Sequence, residues 1–148
     1  MIVRARADIA RVADSPDRVF LDANVLFSAA YRAGSGLEKL WKLTAPAAAL
    51  VSSPYAIEEA RRNLDAADAR QRLERLVAAL EIVRDLAPGE LPLSVDLPPK
   101  DQPILLSAIA ARATHLLTGD HAHFGAYFGR RISSVLIARP GDYLASRS

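Results

Sequence analysis

Short apolar runs alternate with amphipathic stretches along most of this chain, and the alternation predicts strands interleaved with helices. Arg18 to Ala23 carries Val19, Phe20 and Leu21 in succession and reads as a buried strand. A helix follows from Asn24 or Val25 to about Arg32 and stops at Gly34-Ser35-Gly36. A short helix then covers Leu37 to Leu43, ended by Pro46. Ala48 to Ser52 is a second buried strand. Ser53 is placed to cap the next helix, with Pro54 at its first position and Ile57, Ala60 and Leu64 facing the core. Asp68 to Ala79 is a further helix, and Glu81-Ile82-Val83 a short strand.

The four prolines between Leu86 and Lys100 require an extended loop. A helix starts behind Asp101 and runs through Ile104 to Ala113. His115 to Thr118 is a strand, Gly119 to Phe128 a loop with at most a helical turn, and Ser134 to Ala138 a last strand. Pro140 to Leu144 closes the chain in a turn and a helical turn. This order predicts an α/β fold: a three-layer α/β/α sandwich around a mostly parallel sheet of four or five strands. Residues 1–17 form an N-terminal extension of unassigned role, in which Ile2, Ile9 and Val12 could make a short amphipathic helix. Residues 18–148 form the domain proper.

Composition narrows the chemistry. The 148 residues suffice for one domain with a real core, and 51% hydrophobic with 24% charged residues fits a globular protein. No apolar run approaches a membrane span, and the N-terminal arginines precede no apolar signal region. The absence of cysteine excludes disulfides and thiolate zinc sites, leaving oxygen and imidazole as metal ligands. It agrees with a cytoplasmic location. Net charge is +2, and sixteen of the nineteen basic residues are arginine, a side chain suited to phosphate.

Against that background four acids stand out: Asp22, Glu59, Asp101 and Asp120. Asp22 ends the run Val19-Phe20-Leu21, and Asp120 follows Leu116-Leu117 through Thr118-Gly119. Glu59 lies on the helix after the second strand, and Asp101 opens a later helix. In an open α/β sheet the carboxyl ends of neighbouring strands share one crevice. Carboxylates gathered there repel each other, and a divalent cation such as Mg2+ or Mn2+ relieves the repulsion. Such ions polarise phosphodiester oxygens and activate water. Asn24 and Thr118 are placed to hydrogen-bond a ligand carboxylate.

Each residue taken alone also has an ordinary role. Asp101 could be a helix cap, Asp120 a turn residue, and Glu59 a solvated helix residue next to Glu58. Glu59 is preferred because the helical register turns Glu58 toward solvent. An acid directly after Val-Phe-Leu is the hardest to dismiss. His115 reads as structural, and His123 as orienting the loop after Asp120. Arg61 and Arg62 are candidates for substrate phosphates, as are Arg32, Arg130 and Arg131, although substrate-binding residues are not assigned.

The segments FLDANVLFSAAYR, SPYAIEEARRNL and PPKDQPILLSAIAARATHLLTGDHAHF together resemble the PIN domain, over roughly residues 18–145. The resemblance implies a parallel sheet flanked by helices and an acidic site binding Mg2+ or Mn2+. By position, Asp22 matches the first acid with Asn24 its companion, Glu59 the helix glutamate, Asp101 the acid opening the later helix, and Asp120 the aspartate of TGD with Thr118 beside it. The adjacent Glu58 leaves the second acid one position open. The family includes many ribonucleases, and its small bacterial members of VapC type are toxins of toxin–antitoxin pairs. The resemblance therefore implies an RNA substrate and a cognate antitoxin, with a homodimer also among the expected partners and no membrane role.

Two other readings compete. A haloacid-dehalogenase-like phosphatase also places an aspartate after a strand, a lysine (here Lys100) and a later Gly-Asp, but Asn24 stands where its general acid would be. A non-catalytic PIN-like module binding RNA or protein would gain nothing from clustered negative charge.

Overall fold

Strand β1 (Asp17–Leu21) forms where three apolar residues in a row can be buried on both sides of a sheet, and Val19, Phe20 and Leu21 are all fully buried. The computed structural model describes residues 16–43, 48–92 and 94–147. The helix expected within residues 1–17 and the stop at Pro46 lie outside the described residues.

The elements follow the expected order. After β1 come α1 (Ala23–Ala30), a 3-10 turn (Gly36–Glu38), α2 (Lys39–Lys42), β2 (Ala48–Ser52), α3 (Pro54–Asn63), α4 (Ala67–Ala78) and β3 (Glu81–Ile82). Then come α5 (Gln102–Ala110), β4 (His115–Leu117), α6 (His121–Phe124), a 3-10 turn (Gly125–Tyr127), β5 (Arg131–Ile132), β6 (Val135–Ala138) and α7 (Pro140–Ser146). Ser53 caps α3 by accepting the Ala56 N–H, with Pro54 in the first turn, as its sequence indicates.

Among the described residues the strands form one six-stranded sheet in the order β3-β2-β1-β4-β6-β5, parallel except for the β5–β6 pair. Strand β5 is the one strand the periodicity does not announce. It joins β6 through Ser133 and Ser134, both at positive φ (48° and 73°). A two-residue hairpin turn demands such angles, and the usual Asn-Gly signal is missing here. The terminal helical turn extends to the seven residues of α7.

Alternate residues of each strand feed two cores. Phe20, Val51 and Leu116 pack with Ile104, Leu105 and Phe124 on one side of the sheet. Val19, Leu21, Leu50 and Leu117 pack with Val25, Leu26, Leu64, Leu73 and Tyr143 on the other. Each fully buried Leu or Phe contributes about 2–3 kcal/mol by burial. Helices therefore cover both faces, in three layers. Among the described residues no helix is long and apolar enough to cross a membrane.

The chain runs from β1 outward to β2 and β3, then returns to place β4 on the other side of β1. The carboxyl ends of β1 and β4 thus flank the point where the strand order reverses, where α/β sheets bind ligands. The proline-rich loop that makes the return is pinned by side chains. Tyr127 Oη accepts from the Asp96 N–H at 2.8 Å and donates to the Asp96 carbonyl at 3.2 Å. Ser107 Oγ accepts from the Leu86 N–H, and Tyr55 Oη donates to the Lys100 carbonyl at 2.7 Å. Those bonds set the position from which Asp101 enters α5.

Candidate metal centre at the carboxyl ends of β1 and β4

Register brings the first two polar groups together. Leu21 pairs with Leu117, so the next residues, Asp22 and Thr118, emerge side by side at the end of the sheet. Asp22 N–H donates to the Leu117 carbonyl, and Thr118 N–H to the Ala138 carbonyl, each at 3.1 Å. Asp22 is 4% exposed. Its Oδ1 accepts the Ala23 N–H at 2.7 Å, capping α1, while its Oδ2 accepts from Thr118 Oγ1 at 2.9 Å and Asn24 Nδ2 at 3.2 Å.

Thr118 and Asn24 act as the frame. Thr118 Oγ1 accepts the Asp120 N–H at 3.0 Å, and Asn24 Oδ1 accepts the Gly119 N–H at 2.7 Å. A Cβ on Gly119 would stand 3.3 Å from Asn24 Oδ1, so the close approach of this turn to Asn24 favours glycine. Asn24 spends its amide donor on Asp22 and Thr118.

On the other side of the crevice, Asp120 caps α6 through the His123 backbone N–H, and its Oδ2 lies at hydrogen-bonding distance, 2.9 Å, from His123 Nδ1. The same Nδ1 lies 2.9 Å from Asp101 Oδ2. A single N–H cannot point at both carboxylates, and the geometry satisfies only Asp120. Asp101 sits at the cap position of α5, yet its side chain makes no capping hydrogen bond. It is 8% exposed, and its Oδ2 finds no donor among the described residues. The cap reading of Asp101 therefore does not describe this side chain.

Glu59 faces the same charges from α3: it acts electrostatically on Asp22, Asp101 and Tyr55. Glu58 turns outward to an exposed ion pair with Arg61 at 3.4 Å. Burial, reinforced by the charges of Glu59 and Asp101, lifts Asp22 from an ordinary 3.8 to about 6, against the hydrogen bonds from Thr118 and Ala23 that oppose the rise. Asp101 is also pushed up, first by burial and then by Asp120 and Glu59, with His123 and Lys100 opposing. Tyr55 is raised by burial and by Glu59 and Asp101.

The residues fit a divalent cation. Asp101, Asp120 and His123 each offer one ligand atom, all within 4.8 Å of one another, and a buried carboxylate oxygen there lacks a donor. Asp22 and Glu59 add negative charge beside that group. Hard oxygen donors in excess suit Mg2+ or Mn2+.

Six positions singled out in the sequence, Asp22, Asn24, Glu59, Asp101, Thr118 and Asp120, thus occupy one region. His123 does more than orient its loop, since it touches two of the acids. Tyr55 carries no signal in the sequence, because an aromatic in a first helical turn is ordinary. Arg61 is engaged by Glu74 at 2.7 and 2.8 Å, which removes it as a free phosphate ligand, while Arg62 is exposed. His115 packs edge-on against Tyr143, a structural role as expected.

A family profile described as the PIN domain matches residues 18–122. No curated protein matches the chain in sequence. Among solved structures, the chain is similar to VapBC2 from Rickettsia felis, solved bound to a DNA fragment from its promoter. The TM-score is 0.63 at 18% identity, over 82% of this chain and 98% of that one. It is also similar to VapC20 from Mycobacterium tuberculosis, a sarcin–ricin loop cleaving toxin. There the TM-score is 0.50 at 11% identity, over 73% of this chain and 94% of that one. At these identities the likeness is one of fold.

Proposed function

This chain belongs to the PIN domain family, and on that premise we propose that it is a metal-dependent endoribonuclease, the toxin component of a toxin–antitoxin pair. The observation that carries this reading is the gathering of Asp22, Glu59, Asp101 and Asp120 at one crevice, with a buried Asp101 oxygen that lacks a donor. Protein interiors rarely leave such an atom unsatisfied. Family membership sets aside the dehalogenase-like alternative.

Asp101 and Asp120, with Asp22 and Glu59 beside them, would hold Mg2+ or Mn2+. When bound, the ion supplies Lewis acidity to a phosphodiester oxygen and favours attack by water. The chain's own part is positioning. Thr118 and Asn24 hold Asp22 Oδ2 in one orientation, and the Asp120 backbone is tied to the same hydroxyl. Rigid support of this kind keeps ligands in place as substrate enters. The groove lined by Tyr55, Glu58, Arg62 and Asp85 runs along α3 and offers Arg62 to a backbone phosphate.

The fold shared with a sarcin–ricin loop cleaving toxin supports RNA as substrate, and the VapBC2 likeness supports an antitoxin partner. A homodimer and a cytoplasmic location belong to the same proposal, as does an N-terminal extension ahead of the domain. The test is cleavage of a structured RNA pool with Mn2+, with and without chelator, by the wild type and Asp22→Asn. Equal cleavage by both proteins would sink the reading. Calorimetry showing no Mn2+ binding would favour a non-catalytic RNA- or protein-binding module instead. A small antitoxin gene next to this one, whose product co-purifies with the chain, is the expected sign of the toxin role.

A further inference from the structure

His123 is the least explained group of the crevice. Its Nδ1 lies 2.9 Å from Asp101 Oδ2 and 2.9 Å from Asp120 Oδ2. A hydrogen bond accounts for the second contact and leaves the first, against a nearly buried oxygen, without a donor. The same spacing has another meaning. Adjacent ligand atoms around an octahedral ion with bonds of about 2.1 Å lie about 3.0 Å apart. The nitrogen is therefore spaced from each of the two carboxylate oxygens as neighbouring ligands of one cation are, and the ligand atoms of the three residues all lie within 4.8 Å of one another. In the tautomer protonated at Nε2, the Nδ1 lone pair is free to bind it.

We propose that His123 is itself a ligand through Nδ1, and that its nitrogen biases the site toward a transition-metal dication such as Mn2+ and away from Mg2+. The inference rests on the metal-dependent reading above and adds the ligand identity and the metal preference. The chemistry follows from donor softness: imidazole suits transition ions, whereas Mg2+ favours oxygen and retains its waters. An all-carboxylate site would discriminate less between the two ions.

Electron spin-echo spectroscopy of the full chain loaded with Mn2+ reads the proposal directly. Wild type is expected to show nitrogen hyperfine coupling to the bound ion. His123→Asp, which exchanges the nitrogen for oxygen, is expected to lose it while still binding Mn2+. Calorimetry with Mn2+ and Mg2+ should show the Mn2+ to Mg2+ affinity ratio falling about tenfold or more in that variant. His121→Gln, in the same helical turn, should keep the coupling, which excludes the neighbouring ring as its source. If His123→Asp does not fold, His123→Gln serves in its place, and the wild-type spectrum stands by itself. Bound Mn2+ without nitrogen coupling in the wild type, or an affinity ratio unchanged in the variant, overturns this inference and leaves the metal-dependent reading intact. A chain that binds no Mn2+ overturns both.

Discussion

Replacing Asp22 by asparagine is expected to stabilise the metal-free chain while abolishing its cleavage of RNA. Asp22 is 4% exposed and stands among other carboxylates, which lifts its pKa from 3.8 to about 6. A folded-state pKa above the unfolded one means that the folded chain binds the proton more tightly. The stability this group contributes is thus fully present below pH 4 and is lost as pH rises through 6. Above that range the ionised carboxylate costs about 3 kcal/mol relative to its protonated form. An amide of the same shape escapes that cost and still accepts the Ala23 N–H. Its NH2 meets the Asn24 amide and the Thr118 hydroxyl where Asp22 Oδ2 accepted from both, a loss of about 1 kcal/mol each. The net gain is about 1 kcal/mol at pH 7.5, or about 2–4 °C in Tm for a chain of this size. Thermal melts followed by circular dichroism in EDTA, from pH 4 to 8, measure it. The variant should start no better than wild type at the acid end and overtake it as pH rises. Saturating Mn2+ should reverse the order, since an ion at one hundred times its Kd adds about 2.7 kcal/mol to wild type alone. A variant less stable than wild type at pH 7.5 in EDTA, or a difference that does not change with pH, would refute the reasoning.

Further outcomes follow from other contacts. Thr118→Val removes the hydroxyl that holds Asp22 and Asp120 in register and should weaken Mn2+ binding about 10–100-fold in calorimetry with the fold retained. Glu59→Gln should lower the rate of RNA cleavage in a gel assay, whereas Glu58→Gln, which breaks an exposed ion pair and removes a negative charge from the groove, should not lower the rate and should shift stability by less than about 1 kcal/mol. Tyr127→Phe frees the Asp96 backbone and should cost about 1–2 kcal/mol in denaturant melts, with the loop before Asp101 first to lose hydrogen-exchange protection. Exchanging Ser133-Ser134 for Asn-Gly relieves two positive-φ serines and should raise stability by about 1–2 kcal/mol without affecting cleavage.

Much of the fold is legible along the chain because its signals are local. A run such as Val19-Phe20-Leu21 has to be buried on both sides, Ser53-Pro54 starts a helix by its own chemistry, and four prolines forbid regular structure before Lys100. The same local logic marks Asp22, since an acid directly after an apolar strand has few places to go, and Asp120 follows the next such run through Thr118-Gly119. Strand β5 escaped because its turn uses serines at angles that serine rarely adopts.

The site itself needed the tertiary structure. Asp22 and Thr118 are 96 residues apart, and only the placement of β4 beside β1 makes them neighbours. Whether Asp101 caps its helix or faces the crevice depends on a loop pinned by Tyr55, Ser107 and Tyr127, none of which advertises that role. Glu59 separates from Glu58 only once α3 is set against the sheet. His123 gains its meaning from two carboxylates on different elements. By itself the sequence determined the elements other than β5 and the acids that lie beyond their ends, because propensity, capping and burial act over a few residues. The convergence of those acids on one point, and the buried oxygen left without a donor there, were decided by strand order and register, which no local pattern encodes.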